Sequence, residues 1–241
     1  TKEQQMQLDL QESKIREQAA QLKFERLVRN ILTWGIIAIL IFLFALAALY
    51  RKIRNQKNQI EEQRDILDLQ NQKINSSIQY AQNIQRAILP VKNQIENLFE
   101  SFIIYRPKDI VSGDFYWFSK IKDIAFLAAV DCTGHGVPGA FMSMIGNSLL
   151  NEIVLEKNVT EPAKILSLLS EKIIESLRQE ETENNDGMDV CFISIDLKTK
   201  KITFSGAKRP LFIFNKKMSE FNEIKGDRLS IGGAKRKDDS E

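Results

Sequence analysis

Hydrophobic positions follow four successive patterns along the chain, and each predicts a different kind of element. From Thr1 to Arg29 there is no Pro or Gly, and Leu8, Ile15 and Leu22 recur every seven residues among Gln, Glu, Lys and Arg. From Ile31 to Tyr50 twenty consecutive residues carry no charge and nearly all are apolar, the length of a helix that spans a bilayer. Trp34 and Tyr50 lie toward its two ends, where amphipathic aromatic rings favour the membrane interface. Ile36 to Leu49 is apolar on every face, so it lacks the polar stripe of a helix in a globular protein. Beyond the span, the seven-residue interval returns at Ile53, Ile60, Leu67, Ile74, Ala81 and Ile88. This is the seam of a coiled coil, weakened by Lys57, Arg64 and Asn71 at the companion positions. It predicts a marginal homodimer through residues 51–89, with a solvated spacer helix as the alternative. Ile74, Ile78, Ala81, Ile84, Ala87 and Ile88 then make a broader apolar face, expected to pack on the domain after Pro90.

After Pro90 the pattern changes to short apolar and aromatic runs separated by turns, as in a mixed α and β domain. Phe102–Tyr105, Asp114–Ser119 and Ile124–Val130 read as strands. Gly139–Leu155 and Pro162–Leu177 read as helices, the second opened by Thr160 as N-cap with Pro162 in its first turn. Val190–Asp196, Lys201–Phe204 and Leu211–Phe214 read as strands of a meander, with Glu180–Asn185 a polar loop before them. The expected organisation is a charged helix at 1–30, extracytoplasmic; a transmembrane helix at 31–50; a juxtamembrane signalling helix at 51–89; and a globular domain at 90–241.

Charge and cysteine content narrow the function classes. A net charge of +2 lacks the basic excess of a nucleic-acid-binding domain, so no nucleic-acid partner is expected. Cys132, Cys191 and the single His135 cannot build a Cys/His zinc site or a disulfide framework, and both thiols read as buried and reduced. Arg51, Lys52, Arg54 and Lys57 follow the apolar span more densely than Lys23, Arg26 and Arg29 precede it. That asymmetry places the C-terminal side in the cytoplasm of a single-pass membrane protein. The chain begins at Thr1 with no signal peptide before it, so a fragment is expected.

Two acidic motifs carry the chemistry. Val111-Ser112-Gly113-Asp114-Phe115-Tyr116-Trp117 opens one expected strand, and Ala129-Val130-Asp131-Cys132-Thr133-Gly134-His135-Gly136 closes the next. Each carboxylate sits where a rigid strand meets flexible glycine-containing backbone, an arrangement that lets carboxylate and carbonyl oxygens converge on one hard cation. An Asp beside Gly is by itself more often a turn. Joined by the short Ser119–Asp123 turn, however, these two strands would bring both carboxylates to a common site. Asp189 and Asp196 read as structural caps, and His135 as a turn residue, with a role as general acid as the alternative. Arg106, Lys108, Lys208 and Arg209 could attract a phosphorylated partner, although exposed charges are commonly only solvated.

These motifs resemble a known family. The stretch from Ser77 to Pro90, the run Tyr105-Arg106-Pro107-Lys108-Asp109-Ile110 leading into the first acidic motif, and Asp131 to Ser143 are similar to the bacterial SpoIIE-like protein phosphatases of the metal-dependent PPM (type 2C) superfamily. So are Asp186-Gly187-Met188-Asp189, Phe204 to Leu211, and Gly226 to Gly233. The resemblance implies an α/β sandwich of two antiparallel sheets between helical layers, with two Mn²⁺ or Mg²⁺ ions in a cleft. It implies that Asp114 and Asp131 are catalytic metal-binding carboxylates, Asp131 bridging the ions, with the Cys132 carbonyl as a further ligand. It also implies a phosphoserine or phosphothreonine substrate on a regulatory phosphoprotein, such as an antagonist of an anti-sigma factor.

Further aspartates of the family's site would lie after Gly232-Gly233, and Asp238-Asp239 in the polar tail lacks their strand context. The sequence as it stands is therefore expected to bind metal poorly and to be inactive alone, whereas the full-length protein is expected to be active. Two other functions compete. A nucleotide cyclase is suggested by Ser112-Gly113-Asp114-Phe115, but the second acidic residue of its turn is absent. A non-catalytic membrane scaffold would keep the phosphatase-like fold only to bind a phosphoprotein.

Overall fold

The computed structural model describes residues 2–215 and 217–233; Asp238-Asp239 lies outside them. The chain divides into two units, 1–71 and 72–241. Helix α1 (Lys2–Ile88) supplies all of the described first unit. Its side chains from Ile31 to Tyr50 are all exposed, and this is a helix long and apolar enough to cross a membrane. Ile53, Ile60, Leu67 and Ile74 are more than half exposed, so the seven-residue stripe is open along α1. The helix ends at Ile88, just before Pro90, whose ring disfavours a helical conformation in the residue before it.

The second unit is built on a five-stranded antiparallel sheet. β1 (Phe115–Ile121), β2 (Ile124–Cys132), β3 (Gly187–Asp196) and β4 (Ile202–Ala207) follow in that order, and β7 (Ile231–Gly232) pairs with the start of β3. Between β2 and β3 the chain forms α3 (Gly136–Asn151), a π-helical turn (Glu152–Glu156) and α4 (Pro162–Ser176). Successive strand residues face opposite sides of a sheet. Phe115 and Trp117 of β1, Phe126, Ala128 and Val130 of β2, and Met188, Val190 and Phe192 of β3 share one face with α3 and α4. Phe192 is central there, with its ring 6.1 Å from Trp117 and 6.3 Å from Phe126. Leu150, Ile153, Ile165, Leu169 and Ile173 cover this layer from the helices and are fully buried.

The last turns of α1 belong to this unit. Asn147 Nδ2 of α3 donates to the Ile88 carbonyl at 3.2 Å, satisfying an acceptor that the helix end leaves free. Asn151 Nδ2 in turn donates to Asn147 Oδ1, and Trp117 Nε1 to Asn151 Oδ1. A chain of hydrogen bonds thus runs from the central sheet to the terminus of α1. Short helix α2 (Lys92–Glu96) follows, with Ile95 buried.

Several elements differ from expectation. Phe102–Tyr105 is not a strand; Phe102 and Ile104 are 83% and 75% exposed, and no neighbouring strand pairs with this segment among the described residues. The N-cap of α4 is Glu161 in an extended conformation (φ −88°, ψ 119°), not Thr160, because Pro162 takes the first helical position directly. The meander stops at β4. β5 (Leu211–Asn215) turns away to pair with β6 (Glu220–Ile224) in a separate hairpin.

Because Phe192 lies at the centre of the core with no exposed surface, Phe192→Ala is expected to cost about 3–5 kcal/mol. Urea denaturation of the intact protein measures this; a loss below about 1 kcal/mol would contradict the packing described.

Candidate metal centre and active-site cleft

Sheet register brings the acidic residues together. Phe115 lies opposite Val130, and one step further along the same register puts Asp114 opposite Asp131. Asp131 is in turn the direct partner of Asp189 on β3. All three alternate with core residues, so they share the face turned away from α3 and α4. Three carboxylates in one cross-strand row repel one another, and two basic residues after β4 offset this. Arg209 pairs with Asp131 Oδ2, and Lys208 Nζ lies 3.9 Å from Asp189 Oδ1, which also accepts a 2.7 Å bond from Ser230 Oγ. Asp189 is therefore part of the row inside β3 rather than a cap. Asp196 does cap a turn, accepting from the amides of Lys198 and Thr199; those bonds lower its pKa.

Backbone close approach shapes the loop between β2 and α3. A Cβ on Gly113 would lie 2.6 Å from the Gly134 carbonyl oxygen and 3.3 Å from that of Cys132. A Cβ on Gly139 would lie 2.7 Å from the same Gly134 oxygen and 2.9 Å from Gly113 Cα. Only glycine permits this approach, which brings the carbonyls of the second motif against the residue preceding Asp114. The loop is also stapled to β3: Thr133 N donates to the Gly187 carbonyl at 2.8 Å, and Gly187 N donates to Thr133 Oγ1 at 3.0 Å.

Helix α1 fixes the other motif. Gln85 is buried, at 3% exposure. Its Nε2 donates to the Ser112 carbonyl at 2.6 Å and to Ser143 Oγ at 2.8 Å, and its Oε1 accepts from Ser112 N at 3.1 Å. Ser112 Oγ then accepts from Asp114 N at 3.0 Å. Gln82 adds a bond to the Ile110 carbonyl. Tyr105 donates its hydroxyl to the Asp114 carbonyl at 3.2 Å and packs edge-on against Tyr116; burial raises the Tyr105 pKa.

Around the loop, His135 Nδ1 lies 2.8 Å from Asp109 Oδ2, and Lys108 Nζ lies 3.4 Å from His135 Nε2. His135 is the N-cap of α3, so it is a turn residue with a carboxylate partner. Cys132 is buried, and burial with the nearby Asp114 charge pushes its thiol up to about 12. Its side chain is thus held as a neutral thiol while its carbonyl faces Gly113. Cys191 is half-buried, and both cysteines are free.

Asp114, Asp131, Arg106 and Arg209 line one cavity of about 780 Å³. The two carboxylates that line it are hard donors of the kind that suits Mg²⁺ or Mn²⁺, and the Cys132 carbonyl lies against Gly113, the residue before Asp114. Among the described residues, no three His, Cys, Asp or Glu side chains cluster closely enough to hold an ion. A cation at this place would therefore draw on backbone oxygen and water, as Mg²⁺ commonly does. Asp109 and Gln85 carry no sequence signal for the site, whereas Asp189 reads there as a cap and Arg209 as one of four charges that could attract a phosphorylated partner. Asp189 becomes visible only through cross-strand register, and Arg209 only through its ion pair with Asp131. Gln85 lies in a stretch whose apolar face drew attention instead.

Residues 123–238 match the model of the Stage II sporulation protein E (SpoIIE) family. The chain is 25% identical over 163 residues to phosphoserine phosphatase RsbU of Bacillus subtilis (strain 168), an alignment covering 67% of this chain and 46% of RsbU. The SiaA-PP2C domain of Pseudomonas aeruginosa is similar in structure, with a TM-score of 0.60 at 35% identity over 67% of this chain and 64% of that one. The chain thus spans less than half the length of RsbU. Antiparallel sheet, flanking helices and sequence together define a phosphatase domain of the PP2C class. Within that class, the second unit belongs to the SpoIIE family.

If Gln85 holds Ser112 by both main-chain groups, Gln85→Met leaves a buried donor and acceptor unpaired, at a cost of about 1–3 kcal/mol. Hydrogen exchange at the Ser112 amide is expected to accelerate in the variant; protection equal to that of the wild type would show that Gln85 does not hold this turn.

Proposed function

We propose that this protein is a membrane-anchored, metal-dependent protein phosphatase that removes phosphate from serine or threonine of a regulatory phosphoprotein. The observation that carries this reading is the placement of Asp114 and Asp131 in one cross-strand row lining a cavity. RsbU carries the name phosphoserine phosphatase, which supports the substrate class. An antagonist of an anti-sigma factor is one partner of this kind.

In this reading Asp114 and Asp131 are the catalytic carboxylates that would hold two Mn²⁺ or Mg²⁺ ions, with the Cys132 carbonyl as an additional donor. When bound, such ions supply Lewis acidity and a water acidified to near neutrality. The chain's own contribution is position. Gln85 and Ser112 set the main chain at Asp114, the Thr133–Gly187 pair fixes the loop after Asp131, and Arg106 and Arg209 bring positive charge into the cavity for an anionic substrate. The neutral Cys132 thiol is no nucleophile, and no covalent enzyme intermediate is required.

The exposed, charge-free stretch of α1 at 31–50 is the anchor, with residues 51–89 and the phosphatase domain on the cytoplasmic side. The open stripe at Ile53, Ile60, Leu67 and Ile74 is the seam of a homodimer. The non-catalytic scaffold stands as the alternative, since no three metal-binding side chains cluster among the described residues.

Two measurements test this function. Wild-type intact protein is expected to hydrolyse a phosphoserine peptide with Mn²⁺, and Asp131→Asn to lower the rate at least about a hundredfold, the scale of losing one electrostatic stabiliser in an active site. Binding of the phosphopeptide without turnover would favour the scaffold. After expression in bacteria, the protein is expected to stay in the membrane pellet through alkaline carbonate extraction; release into the supernatant would reject the anchor.

A further inference from the structure

Arg209 reaches Asp131 from a turn built to aim it. Lys208, just before it, has φ 54°, a left-handed conformation that is unfavourable for a non-glycine residue. Neighbouring backbone holds it there: Lys208 N donates to the Asp227 carbonyl and Arg209 N to the Ala207 carbonyl, both at 2.7 Å. Behind the turn Gly206 meets backbone directly, and a Cβ there would lie 2.4 Å from the Arg209 carbonyl oxygen. Pro210 then fixes the exit. The Arg209 side chain is thus presented to the cavity by a rigid support, and it shares that cavity with Asp114 and Asp131.

Asp131 accordingly has two suitors. The proposed phosphatase needs its carboxylate for divalent cations, whereas Arg209 offers it a guanidinium. Both partners are about half exposed (47% and 46%), so the pair is screened and exchangeable rather than locked. A divalent ion competing for the carboxylate would displace the guanidinium, but the turn confines it to the cavity. There it faces the other ligand the reaction requires, a phosphoryl group, whose oxygens match the planar donor fork of arginine. Lys208 is not equivalent, because it lies against Asp189.

We infer that Arg209 exchanges partners during the cycle, competing with the divalent cation for Asp131 and, once displaced, contacting the phosphoryl oxygens of the phosphoserine substrate. This rests on the phosphatase reading above and assigns the substrate-phosphate contact within it.

The test uses intact protein with Arg209→Ala, Arg209→Lys and Asp131→Asn. Three quantities are read: the Kd for Mn²⁺ by calorimetry, the KM for a phosphoserine peptide, and the inhibition constant of inorganic phosphate. Arg209→Ala is expected to bind Mn²⁺ about two- to fivefold more tightly, the scale of losing one exposed ion pair. Its KM and its phosphate inhibition constant should both rise at least about tenfold. Arg209→Lys, which keeps the charge without the fork, should fall between wild type and Arg209→Ala on every measure. Opposite signs for metal and phosphate distinguish partner exchange from simple unfolding, which would weaken both and lower the Tm. Unchanged or weaker Mn²⁺ binding, or an unchanged phosphate inhibition constant, overturns the inference. If Asp131→Asn abolishes activity while Arg209→Ala behaves as wild type, only the inference falls. If Asp131→Asn is as active as wild type, the phosphatase reading falls and takes the inference with it.

Discussion

Gln85 offers a donor and an acceptor from one carboxamide, and both ends engage the main chain of Ser112. A backbone turn approaching a helix from the side carries polar groups that cannot be left dry, and few side chains answer both at once. With Ser112 anchored, its hydroxyl is free to receive the Asp114 amide, and the first acidic motif acquires a defined start. The same carboxamide reaches Ser143 on α3. One buried side chain therefore joins the end of α1, the approach to β1 and the helix that follows the second acidic motif.

Strand periodicity then separates two kinds of chemistry that lie within a few ångströms of each other. On one side of the sheet, aromatic and aliphatic residues from β1, β2 and β3 close against α3 and α4, buried from solvent. On the other, Asp114, Asp131 and Asp189 form a row whose mutual repulsion is relieved by Lys208 and Arg209. The buried layer gives the acidic row a stiff base. Its burial also keeps the Cys132 thiol protonated, so that position contributes a main-chain oxygen rather than sulfur chemistry.

Much of this was legible in the sequence where the signal is local. Twenty residues without charge announce a long exposed helix, and the β1 and β2 segments, with an Asp at the head of one and near the end of the other, were readable from alternation and turn residues. The resemblance to SpoIIE-like phosphatases supplied the chemistry that spacing alone leaves open. What could not be read depends on partners remote in sequence. Asp189 looks like any strand-end carboxylate until register sets it opposite Asp131, and Arg209 looks like a solvated surface charge until the Lys208 turn aims it. Phe102–Tyr105 has the composition of a strand, yet composition does not provide a neighbour to pair with. β6 and β7 are short, and their polar or glycine-rich content hides them.

Gly113 and Gly139 meet across the loop with obstacles that are main-chain atoms on both sides. A side chain can rotate out of the way of a newcomer, but a carbonyl held in a packed loop cannot. Shrinking a neighbour is no remedy either, because each glycine already faces the smallest residue there is. A side chain at either position must therefore displace main chain. The charged side chains of the cavity are thus presented by a frame whose shape is set by main-chain atoms alone.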